Sequence, residues 1–207
     1  MEAISKVQLN KIVKTISIIV IGSILLTISA KIKIPFYPVP MTMQTFVVLF
    51  LGLAFGYKIG LATVTLYLLE GIFGLPVFAN SPEKGIGLVY FTGPTMGYLI
   101  GFLVAVYFTK FSFRKDFNRN NYYSQKKGGT LLITPLNALA VFLVLFTKLV
   151  ISVSFIYILG LLWLGYLIGW DKPIFELGAQ PFLLAELFKL LLLTALYPQI
   201  KKLNKII

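Results

Sequence analysis

The sequence contains no cysteine and no histidine, and only 13% of its 207 residues are charged, seven of them acidic. The missing cysteines exclude disulfides and thiolate chemistry, and the missing histidines exclude the common zinc sites and a histidine-ligated haem. A soluble domain of this length carries about 25% charged residues. The scarcity of charge therefore argues against a water-facing globule, and neither a cofactor nor a metal is predicted.

Apolar residues make up 58% of the chain, which is more apolar surface than one water-facing globule buries. A membrane-crossing helix needs about 20 mainly apolar residues, so the length allows roughly five to seven such helices. We therefore expect an all-α integral membrane protein with one membrane domain over residues 1–207. A net charge of +12 would suggest nucleic acid in a soluble protein. Here the basic residues lie between apolar segments, so the expected partner is the lipid bilayer and not nucleic acid.

Apolar segments predict six transmembrane helices, at about 12–30, 43–56, 59–77, 89–108, 150–168 and 181–196. The segment 31–40 carries three prolines, which rule out a regular helix there. The basic and polar segment 109–129 is predicted to be a cytoplasmic linker. Residues 130–170 leave two alternatives open, with a break expected at Pro135. The stretch holds either two helices or a surface-lying segment followed by one helix at 150–168.

The distribution of basic residues favours six helices over seven. With six spans, both termini, the turn at 57–58 and the linker lie on the same side, and together they hold 13 of the 19 basic residues. The opposite loops hold four. Basic residues are enriched in cytoplasmic loops. The sequence therefore predicts a multi-pass protein of the cell membrane with both termini in the cytoplasm.

Ionisable residues inside predicted spans are candidates for function, because an unpaired charge in lipid is costly. Glu186 and Lys189 are three residues apart and project from one helical face. They form either an internal ion pair that only neutralises two charges or a substrate site with an anionic acceptor and a cationic donor. Lys148 is expected to reach the cytoplasmic headgroups. Glu70 either caps a kink or lines the pocket.

Polar residues from four predicted helices or their ends fall at one depth, in the outer half of the membrane. The six candidates for substrate binding are Gln44, Asn80, Thr95, Tyr98, Glu186 and Lys189. Their convergence predicts a pocket open to the outside, with the proline-rich segment 31–40 as a lid. Glycines 93, 97 and 101 are four apart, a spacing that serves close helix packing or ligand contact equally well.

Four segments resemble one known family. They are Ile34-Pro-Phe-Tyr-Pro-Val-Pro-Met-Thr-Met-Gln-Thr45, Gly71-Ile-Phe-Gly-Leu-Pro-Val-Phe-Ala79, Gly93-Pro-Thr-Met-Gly-Tyr-Leu-Ile-Gly-Phe102 and Gly178-Ala-Gln-Pro-Phe-Leu-Leu-Ala-Glu-Leu-Phe-Lys189. Together they resemble the BioY family, the biotin-binding S components of energy-coupling factor (ECF) transporters. The resemblance implies a six-helix bundle with an outward-facing biotin pocket. It also implies docking on a transmembrane T component with two ATP-binding subunits.

The resemblance also implies roles for individual residues. Glu186 would accept an N–H of the biotin ureido ring, and Lys189 would donate to the ring carbonyl or hold Glu186. The Asn80 amide can both donate and accept a hydrogen bond. Tyr98 and Phe91 would line the apolar part of the pocket. The valerate carboxylate would meet Gln44, Tyr37 or Lys33.

Three features depart from the family pattern. Glu186 stands where the family usually has aspartate, which keeps the charge but adds a methylene, and Met96 replaces a usual glycine. Ser23 and Thr27 take the place of a small-residue docking stripe, typically alanines, on the first helix.

We do not expect an enzyme, because the sequence lacks histidine and cysteine and offers few other groups for an acid–base or nucleophile–base pair, and it has no glycine-rich phosphate loop for ATP. Two competing hypotheses remain. The chain could be a secondary transporter of another small polar solute, in which Glu186 and Lys189 relay protons. It could instead be a membrane enzyme or a purely structural membrane protein.

Overall fold

The protein is helical over most of its described length. The computed structural model describes residues 6–111, 126–127, 130–131 and 135–203. Their seven α-helices are α1 (Lys6–Lys31), α2 (Gln44–Phe55), α3 (Tyr57–Ile72), α4 (Met96–Phe111), α5 (Pro135–Ile168), α6 (Ile174–Gly178) and α7 (Leu183–Leu203). Short 3₁₀ helices span Gly87–Thr92 and Gln180–Phe182. The helical architecture confirms the expected class of fold.

Two pairs of two-residue strands accompany the helices. β1 (Lys33–Ile34) pairs antiparallel with β2 (Met41–Thr42), and β3 (Lys126–Lys127) pairs antiparallel with β4 (Thr130–Leu131). The first pair turns the proline-rich segment into a hairpin at the end of α1. Of the predicted linker at 109–129, the structure describes the end of α4 and β3, and the remainder lies outside the described residues.

The third and fourth helices are shorter than their apolar runs suggest. The run 59–77 predicts a helix of that length, but α3 ends at Ile72. Gly74 follows with a φ of 93°, a left-handed conformation that commonly terminates helices. The run at 89–108 is divided into a 3₁₀ helix and α4. Gly93 between them is extended, because the residue before a proline is disfavoured in helical geometry.

Residues 135–168 form one continuous helix. The two alternatives for residues 130–170, two helices or a surface-lying segment followed by a helix at 150–168, are therefore both wrong. α5 has 34 residues, which is about 51 Å of helix. Pro135 begins the helix and does not break it, because the first helical position needs no N–H donor. The last helix likewise extends beyond its predicted end at 196, since Pro198 lies inside α7. Membrane helices tolerate such prolines when neighbouring groups satisfy the freed carbonyl.

Glycines on α4 serve close helix packing. A Cβ at Gly101 would lie 2.6 Å from the Cα of Ile156 on α5, and one at Gly97 would collide with the Leu159 carbonyl. Side chains at either position would therefore separate α4 from α5. Of the two roles proposed for these glycines, helix packing and ligand contact, the structure therefore supports helix packing.

Apolar surface covers the outside of the bundle. Among the described residues, three helical stretches are long and apolar enough to cross a membrane, namely Gln8–Lys31, Leu139–Ile168 and Ile174–Leu203. Gln44–Phe55 and Met96–Thr109 are shorter apolar helices. On α1, Ile16, Ile24 and Ile28 are each more than half exposed. Such a surface is stable in lipid, and the chain is an integral membrane protein.

Candidate functional site

A cavity lies at the end of the bundle where α2, α4 and α7 begin and α1 and α3 end. Its polar lining includes Gln44, Thr45, Thr95 and Glu186, and most of the remaining wall is apolar or aromatic. The cavity volume is about 50 Å³, which holds only a few water molecules. The helix starts therefore bring together residues that are far apart in the sequence.

Glu186 and Lys189 form a buried ion pair on the first turns of α7. Lys189 Nζ lies 2.7 Å from Glu186 Oε1, and the two side chains are 7% and 6% exposed. Lys189 Nζ also donates to the Thr42 carbonyl at 2.7 Å and to Thr45 Oγ1 at 3.0 Å. The Thr45 hydroxyl donates to Glu186 Oε1 at 2.8 Å. The pair thereby ties α7 to the start of α2.

The second oxygen of Glu186 has no hydrogen-bond partner within the described part of the chain. Glu186 Oε2 is buried, and the residue lines the cavity. A buried acceptor left unsatisfied costs about 1–3 kcal/mol, and more when it is charged. Tyr157 also lines the cavity, and its hydroxyl interacts with the Glu186 carboxylate by charge and by a hydrogen bond too long or too bent to count as one of ordinary geometry. The carboxylate therefore keeps one buried acceptor oxygen that no hydrogen bond of ordinary geometry from the described residues satisfies.

Gln44 is held by a tyrosine on α3. Its Nε2 donates to Tyr67 Oη at 2.7 Å, and Tyr67 in turn donates to the Val77 carbonyl at 3.2 Å. The Thr42 hydroxyl donates to Gln44 Oε1 at 3.3 Å. Because the Tyr67 proton is committed to Val77, Gln44 must present its amide nitrogen to Tyr67. The amide orientation of this cavity residue is therefore determined by buried partners.

Aromatic rings from three elements form another part of the wall. Tyr98 on α4 packs edge-on against Tyr157 of α5, with ring centroids 6.0 Å apart. Phe182 lies 6.4 Å from Tyr157. The Tyr98 hydroxyl donates to the Gly178 carbonyl at 2.8 Å, so its polar end is already satisfied. Thr95, from the turn before α4, completes the set of predicted residues in the wall.

Two of the six predicted binding residues do not line the cavity. Lys189 is absent from the wall, and its amine is bonded to Glu186, Thr45 and the Thr42 carbonyl. Asn80 accepts a 3.1 Å hydrogen bond from Lys33 Nζ through Oδ1 and donates from its backbone to Tyr90. Ala79, its neighbour, provides the wall instead. The structure therefore gives Lys189 and Asn80 supporting positions.

Two lysines attach the end of α1 to the segment that follows α3. Lys31 Nζ donates to the Phe78 carbonyl at 2.7 Å and to the Ser81 carbonyl at 2.8 Å. Lys33 Nζ donates to the Ala79 carbonyl at 2.8 Å. The sequence offers Lys33 as a contact for a ligand carboxylate, but the structure commits its amine to this segment. The clamp holds the Ala79 wall of the cavity.

The predicted docking residues on α1 differ in their surroundings. Ser23 is 1% exposed, and its hydroxyl donates to Glu70 Oε1 on α3 at 2.7 Å. Ser23 therefore faces α3 in this structure, and its role in docking stays a prediction. Thr27 is partly exposed and bonds only the Ser23 carbonyl of its own helix. The hydrogen bond from Ser23 joins Glu70 on α3 to α1, and Glu70 is not among the residues that line the cavity.

Sequence reasoning missed several residues that shape the cavity. Thr45 directly follows Gln44 in the proline-rich motif, and this position in the motif could have identified it as a residue at the cavity. Tyr157 lies in a continuous apolar helix, and Tyr67 and Phe182 are aromatic residues among many. Tyr157 and Phe182 line the wall, and Tyr67 bonds the wall residue Gln44. For these three no sequence signal distinguishes a residue at the cavity from a core residue.

The family model for BioY matches residues 3–205 of the chain. The chain belongs to the BioY family. A probable biotin transporter BioY of Pyrococcus horikoshii is 29% identical over 176 residues, covering 85% of this chain and 89% of the relative. The biotin transporter BioY of Thermotoga maritima is 31% identical over 180 residues, covering 87% and 91%. BioY proteins are transport proteins, which confirms the expectation that the chain is not an enzyme.

A solved structure shows the same fold. It is the crystal structure of the S-component for biotin from an ECF-type ABC transporter, matched with a TM-score of 0.71 over 97% of this chain and 95% of that chain. The two sequences are 22% identical. The bundle described above is therefore the fold of an S component.

Proposed function

We propose that this chain is the high-affinity biotin-capture subunit of an ECF-type vitamin uptake transporter. The observation that carries the proposal is the open, buried Glu186 Oε2 in an otherwise apolar and aromatic cavity. The ureido ring of biotin carries two N–H donors, one of which would satisfy this oxygen. Its bicyclic body suits the aromatic wall of Tyr98, Tyr157 and Phe182. Membership in the BioY family and the names of the relatives support the same ligand.

The hairpin at the end of α1 supplies the lid of this site. Val39 and Pro40, between β1 and β2, line the cavity and are buried. The present volume of about 50 Å³ is too small for a bicyclic ligand with a side chain. We therefore expect the segment 31–40 to move outward when biotin enters, and the valerate chain to extend towards this opening.

The chain is proposed to cross the cell membrane six times, through α1 to α5 and α7. Both termini, the turn at 57–58 and the linker at 109–129 then lie in the cytoplasm with 13 of the 19 basic residues, which agrees with the enrichment of basic residues in cytoplasmic loops. The cavity end of the bundle faces outwards in this topology. A reporter fused to the C terminus is expected to give its signal in the cytoplasm, and a signal from outside the cell would contradict the six-helix topology.

Transport is proposed to depend on docking with a T component and two ATP-binding subunits, because the chain carries no phosphate-binding loop of its own. The outer face of α1 suits that contact. Its surface around Thr27 is apolar, with Ile24 and Ile28 exposed on either side. Helices associate in membranes through close packing of such surfaces around small side chains.

Thr27→Trp is expected to abolish complex formation and transport while leaving biotin affinity unchanged. A large ring at this partly exposed position would hold a partner helix away from α1, and it lies outside the cavity wall. Affinity purification of the complex and a binding assay on the isolated subunit measure the two effects. Thr147→Trp on the exposed side of α5 is the control. A normal yield of complex from Thr27→Trp would exclude this face from the interface.

Ligand binding by the purified protein tests the proposed function. Biotin should bind tightly in detergent, whereas thiamine, riboflavin and folate should not compete. Tight binding of another vitamin, or none of biotin, would refute the proposal. Uptake by cells should require the coupling ATPases. Uptake that survives their loss but collapses with an uncoupler would identify a secondary transporter instead.

A further inference from the structure

The direction of each hydrogen bond around Thr45 follows from the chemistry of its partners. A lysine ammonium group only donates, and an ionised carboxylate only accepts. Thr45 Oγ1 lies 3.0 Å from Lys189 Nζ and 2.8 Å from Glu186 Oε1. The hydroxyl must therefore accept from the lysine and donate its single proton to the carboxylate. Both capacities of the hydroxyl are used inside this network.

Two donors consequently converge on the same oxygen of Glu186. Oε1 receives the Thr45 hydroxyl and the Lys189 ammonium, while Oε2 receives no hydrogen bond of ordinary geometry from the described residues, although the Tyr157 hydroxyl interacts with the same carboxylate. The terminal torsion of a glutamate side chain is soft. One lysine donor alone leaves the carboxylate free to rotate about this torsion, so it does not determine the direction in which the second oxygen points. The second donor on Oε1 removes that freedom.

We propose that Thr45 is a positioning residue that orients the Glu186 carboxylate so that Oε2 points into the cavity as a ready acceptor for an N–H of the ligand. The inference rests on the proposed function for the identity of that ligand. Thr45 is 8% exposed and begins α2, whereas Glu186 begins α7. The hydroxyl therefore links the first turns of α2 and α7, and the packing of these two helices determines the direction of Oε2.

Isosteric variants separate this role from packing. Thr45→Val keeps the shape but removes the hydroxyl, and Thr45→Ser keeps the hydroxyl but removes a methyl group. Valine is expected to weaken biotin binding about tenfold, equal to 1.4 kcal/mol, and serine less than about threefold. Equal losses for valine and serine would overturn the proposal. Should the valine variant fail to fold, Thr45→Ala replaces it with the same expected contrast to serine.

A double-mutant cycle tests whether Thr45 acts through Glu186. In a Glu186→Gln background the carboxylate is gone, and Thr45→Val should then weaken biotin binding by less than about twofold. A tenfold loss in both backgrounds would show that Thr45 contributes to packing and not to orientation. Thermal unfolding of all four proteins controls for stability.

An infrared measurement tests the same inference without any ligand. The carboxylate stretching band of Glu186 is identified by the difference between wild type and Glu186→Gln. Thr45→Val should shift this band because Oε1 loses a hydrogen bond, and Thr45→Ser should leave it in place. An unshifted band in the valine variant would refute the positioning role. Failure of the wild type to bind biotin would refute only the proposed function.

Discussion

Glu186→Ala is expected to weaken biotin binding at least about tenfold, which is on the order of 1.4 kcal/mol. The substitution removes the buried acceptor oxygen that has no hydrogen bond of ordinary geometry among the described residues, and in the proposed function it leaves a ureido N–H of biotin without its partner. Titration calorimetry on the purified, folded protein measures the loss. Unchanged affinity would remove Glu186 from the binding site.

A matched control is available on α6. Glu176 is exposed and lies outside the cavity wall, so Glu176→Ala should bind biotin like the wild type. A similar loss in both variants would point to the net charge of the protein and not to the site. The comparison therefore separates a local contact from a long-range electrostatic effect.

Lys189→Met is expected to lower the free energy of unfolding by about 3–5 kcal/mol, because it leaves a buried carboxylate without its cation. Lys189 holds Glu186, Thr45 and the Thr42 carbonyl together. Thermal unfolding followed by size-exclusion chromatography in detergent measures the effect. Lys172→Met serves as the control, since Lys172 is a largely exposed lysine paired only with its neighbour Asp171. Equal stability of Lys189→Met and wild type would contradict this account of the ion pair.

The double variant Glu186→Gln with Lys189→Met separates stability from binding. Removing both charges together avoids an uncompensated ion, and such replacements are often neutral or stabilising. The double variant should therefore recover most of the stability that Lys189→Met loses, but it should not recover biotin affinity. Recovery of both would mean that the ion pair serves only the fold, the alternative that the sequence leaves open.

Several features of the site were predictable because they depend on local sequence. Gln44, Thr95 and Glu186 lie at helix starts on the same end of the bundle, and counting apolar spans places them at one depth without any knowledge of packing. Tyr98 follows one turn after Thr95 and shares its helix end. These four residues do line one cavity. Their role in substrate binding stays a prediction.

Other features depend on contacts between distant segments. Asn80 turns towards Lys33 and Ser23 towards Glu70, although hydropathy gives no orientation to either side chain. Thr45 meets Glu186, a residue 141 positions away. The length of α5 was also underestimated, since an apolar run longer than one span is compatible with several arrangements of helices.

The sequence by itself determined that this chain belongs in a membrane, because 58% apolar residues with 13% charged ones have no other solvent in which to be stable. It also predicted that polar groups from several helices gather at one end of the bundle, because span length sets the depth of each residue along its helix, and four of these residues do line one cavity. Tertiary structure alone decided which polar atoms are used up by the protein and which remain open. That distinction depends on hydrogen bonds between residues that meet only after the helices have packed.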